Sequence, residues 1–322
     1  MKSLYSIGEV LIDFIPLQKG RMLKDVVEFE RAPGGAPANV AATVARLGGK
    51  SSMISKLGTD SFGDFLVETL HQAGVKTDKI LKTDKANTAL AFVSLRKDGE
   101  RDFSFYRSPS ADLLMKEEEI NGDWFTSGDI LHFCSVDLVE SPMKYAHIKA
   151  IKEAKQNGAL ISFDPNVRLP LWEKPEDCRE TILSFIPKAH LIKISDEELS
   201  FITNIENEEE AIRSLFIGDV TVVIYTKGAK GAELYLKNDK FTSTGYKVDV
   251  QDTTGAGDAF IGGFLYQLLL NEVTPVNLKD TCKVKYHEFL QFANAVGALT
   301  TTGKGAISSI PDKEQVLKLT QG

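Results

Sequence analysis

The stretch 130–227 constrains the fold most, because short apolar runs alternate there with longer amphipathic ones. Ile130–Cys134 precedes a helical segment at 143–156, and the run 159–164 precedes another at 175–186. The run 191–194 precedes 197–203, and 220–225 ends at Thr226-Lys227-Gly228. Repeated strand–helix alternation predicts a parallel sheet covered by helices on both faces.

A second constraint is Asp252-Thr253-Thr254-Gly255-Ala256-Gly257-Asp258. It lies between a strand-like run, 246–250, and an apolar segment, 259–270, that is too long for one buried strand and suits a helix. Gly255 and Gly257 carry no Cβ, so the backbone can approach an anion closely. First-turn N–H groups lack intrahelical partners and carry the positive end of the helix dipole, which suits a phosphate. A carboxylate beside such a hole repels phosphate, unless it removes a proton from whatever attacks that phosphate. Gly255, Ala256, Gly257 and Asp258 therefore fit phosphoryl transfer to a hydroxyl, with Asp258 as general base. The same residues also suit a capped helix and a tight turn, and alone they leave both readings open.

At 322 residues, 43% of them hydrophobic, the chain has material for one large α/β domain or two smaller ones. With 38 basic and 45 acidic residues the net charge is -7, which argues against a nucleic-acid partner. Cys134, Cys178 and Cys282 are widely spaced, which fits a reducing cytoplasm and neither a disulfide framework nor a zinc site. Glu9 stands where a signal peptide needs an apolar core. No window approaches the roughly 18 apolar residues of a membrane span, so no membrane partner is expected. The P-loop, dinucleotide and nucleophile-elbow patterns are absent, and the five histidines show no metal-ligand spacing.

The run 4–14 reads as a first buried strand, interrupted by Gly8-Glu9, with Asp13 near its end. At the carboxyl edge of a parallel sheet such a residue points toward the ligand. The charged stretch 18–30 is too polar for core and reads as a strand pair or loop at the edge. Gly34-Gly35 lead into a helix whose Ala38, Ala41, Ala42 and Ala45 form a small-residue face, ended by Gly48-Gly49. Asn39, in its first turn, can hydrogen-bond a hydroxyl. The runs 88–96 and 101–107 alternate across Lys97-Asp98-Gly99-Glu100, which predicts a hairpin that joins the 14–30 region as a small sheet. A second hairpin is expected at 231–235 and 241–244, with helices at 289–300 and from Pro311. Asp164-Pro165-Asn166-Val167-Arg168 leaves a buried strand at its carboxyl end, directing Asp164, Asn166 and Arg168 into a cleft, although a turn of this composition needs no ligand.

Asp252–Asp258 and the Gly34-Gly35 run with Asn39, written here 34–39 and 252–258, resemble the second and first signatures of the ribokinase (PfkB) family of sugar kinases. The run 164–172 and Pro109-Ser110-Ala111-Asp112 resemble its fructokinase branch, and the resemblance covers essentially the whole chain. It implies a three-layer α/β/α ribokinase-like fold, as one domain over 1–322 with a β-sheet lid formed by 14–32 and 86–108. It also implies ATP-dependent phosphorylation of a sugar primary hydroxyl, fructose first. Asp13, Gly34, Gly35 and Asn39 would hold the sugar, Asp258 would be the base, and Arg107 and Arg168 would reach sugar or phosphate. ATP would meet Lys193, Ser195, Thr226, Gly228, Gly231, Gly257 and Asn294. Glu198 would organise Mg through water, while Ser195 stands where the family has an Asn. Asp252 and the Thr254 carbonyl, with the 303–309 loop, resemble ligands for a monovalent cation such as K+. A cytoplasmic homodimer joined through the lid is the expectation. The alternatives are a 2-keto-3-deoxygluconate kinase, which would use both arginines for a carboxylate, a nucleoside kinase, and a non-catalytic sugar sensor.

Overall fold

The computed structural model describes residues 2–18, 20–95 and 101–321, with two sheets. In chain order the first strands are β1 (Ser3–Ile7), β2 (Leu11–Pro16), β3 (Phe29–Gly34), β4 (Lys50–Gly58), β5 (Lys76–Thr83), β6 (Leu90–Leu95) and β7 (Arg101–Tyr106). There follow β8 (Ile130–Cys134), β9 (Leu160–Asp164), β10 (Leu191–Ser195), β11 (Val222–Thr226), β12 (Ala232–Tyr235) and β13 (Lys240–Ser243). The helices are α1 (Ala36–Arg46), α2 (Ser61–Gln72), α3 (Pro142–Gln156), α4 (Pro175–Phe185), α5 (Asp196–Thr203), α6 (Glu208–Ser214), α7 (Ala256–Leu270), α8 (Leu278–Thr300) and α9 (Lys313–Gln321).

The central sheet has the order β13-β12-β11-β10-β9-β8-β1-β4-β5. From β11 to β5 all neighbours are parallel, and β12 and β13 form the expected antiparallel hairpin at one end. β8 and β9 are buried at every residue because helices cover both faces. On one face Phe133, Phe163 and Ile192 pack with residues of α3, α4, α5 and α6. On the other, Leu4, Leu160 and Leu191 pack with Val44 of α1, Phe264 of α7 and Phe289 of α8. This is the three-layer α/β/α arrangement. Gly262 lets α7 approach α1: a Cβ there would stand 2.6 Å from Thr43 Cβ.

The second sheet has the order β3-β2-β6-β7. Its pairs are antiparallel except β2 with β6. Phe14 stacks on Phe92 at 4.7 Å between centroids, and Phe29 and Phe62 meet Phe14 edge-on. The Asp98-Gly99 turn expected between β6 and β7 lies outside the described residues.

Two expectations are corrected and one is narrowed. The run 4–14 is two strands in two sheets, because Gly8 takes a φ of 145° and the chain turns there against Pro37. Asp13 therefore sits within β2 of the small sheet and not at the carboxyl edge of the parallel central sheet. Of the two readings of 18–30, the loop holds over most of it: a short 3-10 turn at Leu23–Asp25 leads into β3. The run 246–250 forms no strand, since nothing pairs with it beyond β13, and the following Gln251 and Asp252 donate N–H groups to Thr301 O. Among the described residues, no helix is long and apolar enough to cross a membrane.

Candidate active site

A cavity of about 1000 Å³ opens between the small sheet, the N-termini of α1 and α7, and the carboxyl ends of β9 and β10. Strand alternation aims Leu11, Asp13 and Ile15 of β2 into it, while Ile12 and Phe14 pack behind. Of the residues singled out in the sequence, Asp13, Gly35, Asn39, Arg168, Lys193, Ser195, Glu198, Asp252, Thr254, Gly255, Gly257 and Asp258 line this cavity. Side chains from both halves of the chain thus meet in one place.

Gly255 caps α7 in the left-handed conformation, φ 74°, which turns the chain directly into the helix. The first helical bond is made by Ala259 N–H to Gly255 O, at 2.8 Å. Ala256 N–H donates to Thr253 O within the turn and Ala256 is not a cavity residue, so within the first turn of the helix it is Gly257 and Asp258 that face the cavity. A Cβ on Gly257 would stand 3.3 Å from Lys193 Nζ, which puts an ammonium beside that end. Lys193 is buried and 2.9 Å from Asp164 Oδ2. Burial alone would favour neutral lysine, but Asp164 and Glu198 outweigh it and hold the ammonium above its ordinary value.

Asp258, 8% exposed, sits one step into α7. Asn39 Nδ2 donates to its Oδ2 at 2.8 Å and Asn166 Nδ2 to its Oδ1 at 3.1 Å. Burial pushes the carboxyl above the ordinary aspartate value, opposed by the Asn39 bond and by the charges of Lys193 and Arg168. A carboxylate so raised, yet held by donors, has the chemistry of a proton acceptor. Arg168 itself is tethered by donating to Val167 O at 2.9 Å.

Glu198 and Ser195 form a capping box at the start of α5, with Glu198 Oε2 accepting from Ser195 N (3.0 Å) and Oγ (2.8 Å). Glu198 Oε1 accepts Val167 N–H at 2.8 Å. Burial disfavours its charge, but Lys193 and these bonds prevail and hold the carboxyl below its usual range. Asp252 ties two loops together, Oδ1 accepting from Thr254 N and Oγ1 and Oδ2 from Gly305 N.

The structure departs from expectation at several positions. Arg107 does not line the cavity: it is buried and ion-paired with Asp112 and Asp137, whose charges outweigh its burial and hold the guanidinium protonated. Gly34 lies behind the wall, where a Cβ would collide with the Asp13 carboxylate. Thr226, Gly228, Gly231 and Asn294 are also outside the cavity lining. Thr226 Oγ1 donates to Ile194 O, and a Cβ on Gly231 would collide with Ser243 O. Asn294 Nδ2 reaches Ser243 Oγ (3.2 Å) and Thr244 O (3.3 Å), which fastens α8 to the end of β13.

Glu9 is a cavity residue to which the sequence assigns no role, while Asn166 lines the cavity as its strand-end position implied and Asp164 of the same run does not. Glu9 Oε1 accepts Ala36 N–H at 2.9 Å, pinning the start of α1, and burial together with Asp137 pushes its carboxyl well above the ordinary value. Its only local signal is a carboxylate interrupting an apolar run. Asn166 has a weak signal too, an Asn following Pro in a turn.

Residues 1–313 match the model of the pfkB family carbohydrate kinases. The chain is 45% identical over 318 residues to probable fructokinase-4 of Arabidopsis thaliana, covering 98% of this chain and 96% of that protein. The crystal structure of a Xylella fastidiosa fructokinase with bound ATP superposes with a TM-score of 0.90 at 37% identity, over 99% of this chain and 98% of that one. A Vibrio cholerae O395 fructokinase, in fructose, ADP and calcium ion bound form, gives 0.87 at 34% identity, over 99% of each chain. By the alternating sheet, the glycine-led helix over the cavity and these full-length likenesses, the chain belongs to the pfkB family of carbohydrate kinases.

Proposed function

We propose that this chain transfers the γ-phosphoryl group of ATP to the primary hydroxyl of D-fructose, yielding fructose 6-phosphate. The observation that carries the reading is a buried Asp258 held by two amides beside the glycine-capped N-terminus of α7. The relatives named above as fructokinases, one of them bound to fructose and ADP, support the sugar. Asp13, Gly35 and Asn39 hold the sugar hydroxyls, with Gly34 leaving room for the Asp13 carboxylate, and Asp258 takes the proton as the oxygen attacks. The Gly255–Gly257 turn, written 255–257, with Lys193 and Arg168, stabilises charge on the phosphoryl group in flight. Lys193, Ser195 and Gly257 face the ATP phosphates, and the adenosine end extends beyond the cavity along the 226–231 turn and Asn294.

Among the described residues no group of three or more His, Cys, Asp or Glu could hold a metal. Mg2+ keeps several waters and is bound through phosphates and one or two carboxylates. When bound it would neutralise charge on the phosphates, with Glu198 contacting its water shell. Asp252 and Thr254, joined to the 305 loop, are the candidates for K+ contact, read out as faster turnover in K+ than in Na+. We further take 1–322 as one domain whose small sheet is a lid over the sugar and a homodimer surface, with light scattering expected at twice 35.4 kDa. Leu17, Met22, Val27 and Tyr106, all exposed on that part of the chain, support the dimer. The three buried free thiols are compatible with a cytoplasmic setting.

The test is a coupled ADP-release assay with Mg-ATP against fructose, 2-keto-3-deoxygluconate, ribose, tagatose and adenosine. Preference for fructose is expected. Preference for the keto acid would keep the mechanism and change the substrate, against the engagement of Arg107 by Asp112 and Asp137. Sugar binding without turnover would indicate a sensor.

A further inference from the structure

Asn166 stands where the chain leaves β9 for the cavity, and its φ is 46°. Apart from glycine, Asn is among the few residues that tolerate this left-handed region. The chain is pinned on both sides of it: Ser135 N–H donates to Pro165 O at 3.0 Å, and Val167 N–H to Glu198 Oε1 at 2.8 Å. Glycine would satisfy the same backbone with no steric cost, so the side chain needs its own account.

That account lies at Asp258. Asn166 donates to Oδ1 at 3.1 Å and Asn39 to Oδ2 at 2.8 Å. An ionised carboxylate only accepts, so both amides turn their NH2 groups toward it. Their two Oδ1 atoms are then buried without a hydrogen-bond partner in the protein. The terminal torsion of an aspartate is broad and roughly two-fold, so a single donor leaves the carboxylate plane free to swing. Two donors, one on each oxygen, fix it.

We propose that Asn166 is a positioning residue for phosphoryl transfer, locking the carboxylate plane of Asp258 from the side opposite Asn39. The inference rests on Asp258 being the general base. Hydrogen bonds to a charged form favour it, so the Asn166 contact also opposes the burial that raises the Asp258 carboxyl. Glu198 enters through Val167: by holding that N–H it keeps Asn166 in its left-handed turn.

The experiment compares Asn166→Gly, Asn166→Ala and Asn166→Asp with wild type and Asp258→Asn, measuring kcat, KM for ATP, thermal midpoint and the acid limb of the pH–kcat profile. Asn166→Gly keeps the backbone and removes only the amide. Its kcat should fall about 10–100-fold with KM for ATP nearly unchanged. Its acid limb should move up, because a donor to the ionised carboxylate is lost. Asn166→Ala should show the same kinetic change with a lower midpoint, because alanine is strained at this φ. Asn166→Asp should shift the acid limb furthest, since two carboxylates then share the site. A wild-type kcat and an unmoved acid limb in Asn166→Gly, with Asp258→Asn inactive, would overturn the proposal and leave the base assignment standing. A lowered kcat with an unmoved acid limb would reduce Asn166 to a structural role and also overturn it. Full turnover in Asp258→Asn would remove the base, and the proposal with it.

Discussion

Gly255 and Gly257 stand two residues apart in one turn, yet the structure requires them for opposite reasons, and alanine at each separates the two. At Gly255 the φ is 74°, and a Cβ would stand 2.5 Å from Ala306 Cβ and 3.1 Å from Ala306 Cα. A left-handed non-glycine residue costs about 1–2 kcal/mol. Forcing a methyl into a filled site costs about 1–3 kcal/mol more. Gly255→Ala should therefore destabilise the fold by about 2–5 kcal/mol. Unfolding entropy of about 2.1 cal/mol/K per residue, over 322 residues, is roughly 0.7 kcal/mol/K. The thermal midpoint should then fall by about 3–7 °C. At Gly257 the backbone is helical and the nearest atom to a Cβ is the flexible Lys193 Nζ at 3.3 Å. Alanine there gains helix propensity of about 1 kcal/mol, so the midpoint should hold or rise slightly. The new methyl would still occupy the approach to the helix N-terminus. Loss comparable to removing one anion-hole donor, about 10²–10³-fold in kcat, is expected. Differential scanning fluorimetry and coupled ADP release read the two quantities separately. Wild-type kcat in Gly257→Ala would refute the anion-cradle argument, and an unchanged midpoint in Gly255→Ala would refute the steric one.

Asp258→Asn should lower kcat about 10²–10⁴-fold while ATP binding, followed by titration calorimetry, stays close to wild type. The acid limb of wild-type kcat should lie above the ordinary aspartate value, because burial raises the Asp258 carboxyl and only its ionised form accepts the proton. Arg107→Leu would leave Asp112 and Asp137 buried without their cation. That should cost about 3–5 kcal/mol, read as a lower urea midpoint, and a midpoint within error of wild type would contradict the pairing. For Glu9, burial and then Asp137 raise the folded-state value, so folding binds its proton more tightly than the unfolded chain does. The associated stability is complete below the unfolded value near 4.3 and is lost as the pH rises through the folded value. Glu9→Gln, neutral throughout, should gain stability relative to wild type between about pH 5 and 8, and parallel urea midpoints across that range would contradict the assignment.

The alternation over 130–227 led directly to the parallel sheet because each strand and helix is written in neighbouring residues, and helix crossovers leave parallel pairing as the outcome. The Gly255 turn was legible for the same reason: a left-handed cap, a following apolar helix and a first-turn carboxylate are all local features. The path of the chain after Gly8 was not. An apolar run of this kind suits one strand or two, and the choice came from Pro37 of α1 packing against Gly8 and from the edge of β3 waiting for β2. The run 246–250 failed the other way, alternating like a strand while the chain heads for Thr301, to which Gln251 and Asp252 donate their N–H groups.

At the cavity the division is the same. Residue type and chain position pointed to Asp258 and Asn39, since glycine-led helices have known directions, and the family resemblance added Lys193. Whether Arg107 faces a ligand or a pair of carboxylates depends on Asp137, 30 residues away, and on how tightly both are buried. Asn39 and Asn166 lie 219 and 92 residues from the carboxylate they share. No local pattern encodes such a meeting. The sequence by itself determined most of the elements, their layering and the glycine turn that opens α7, because these follow from periodicity and backbone freedom. Only the tertiary structure decided which polar groups pair, because a buried charge takes whatever donor the packed layers bring within hydrogen-bond reach.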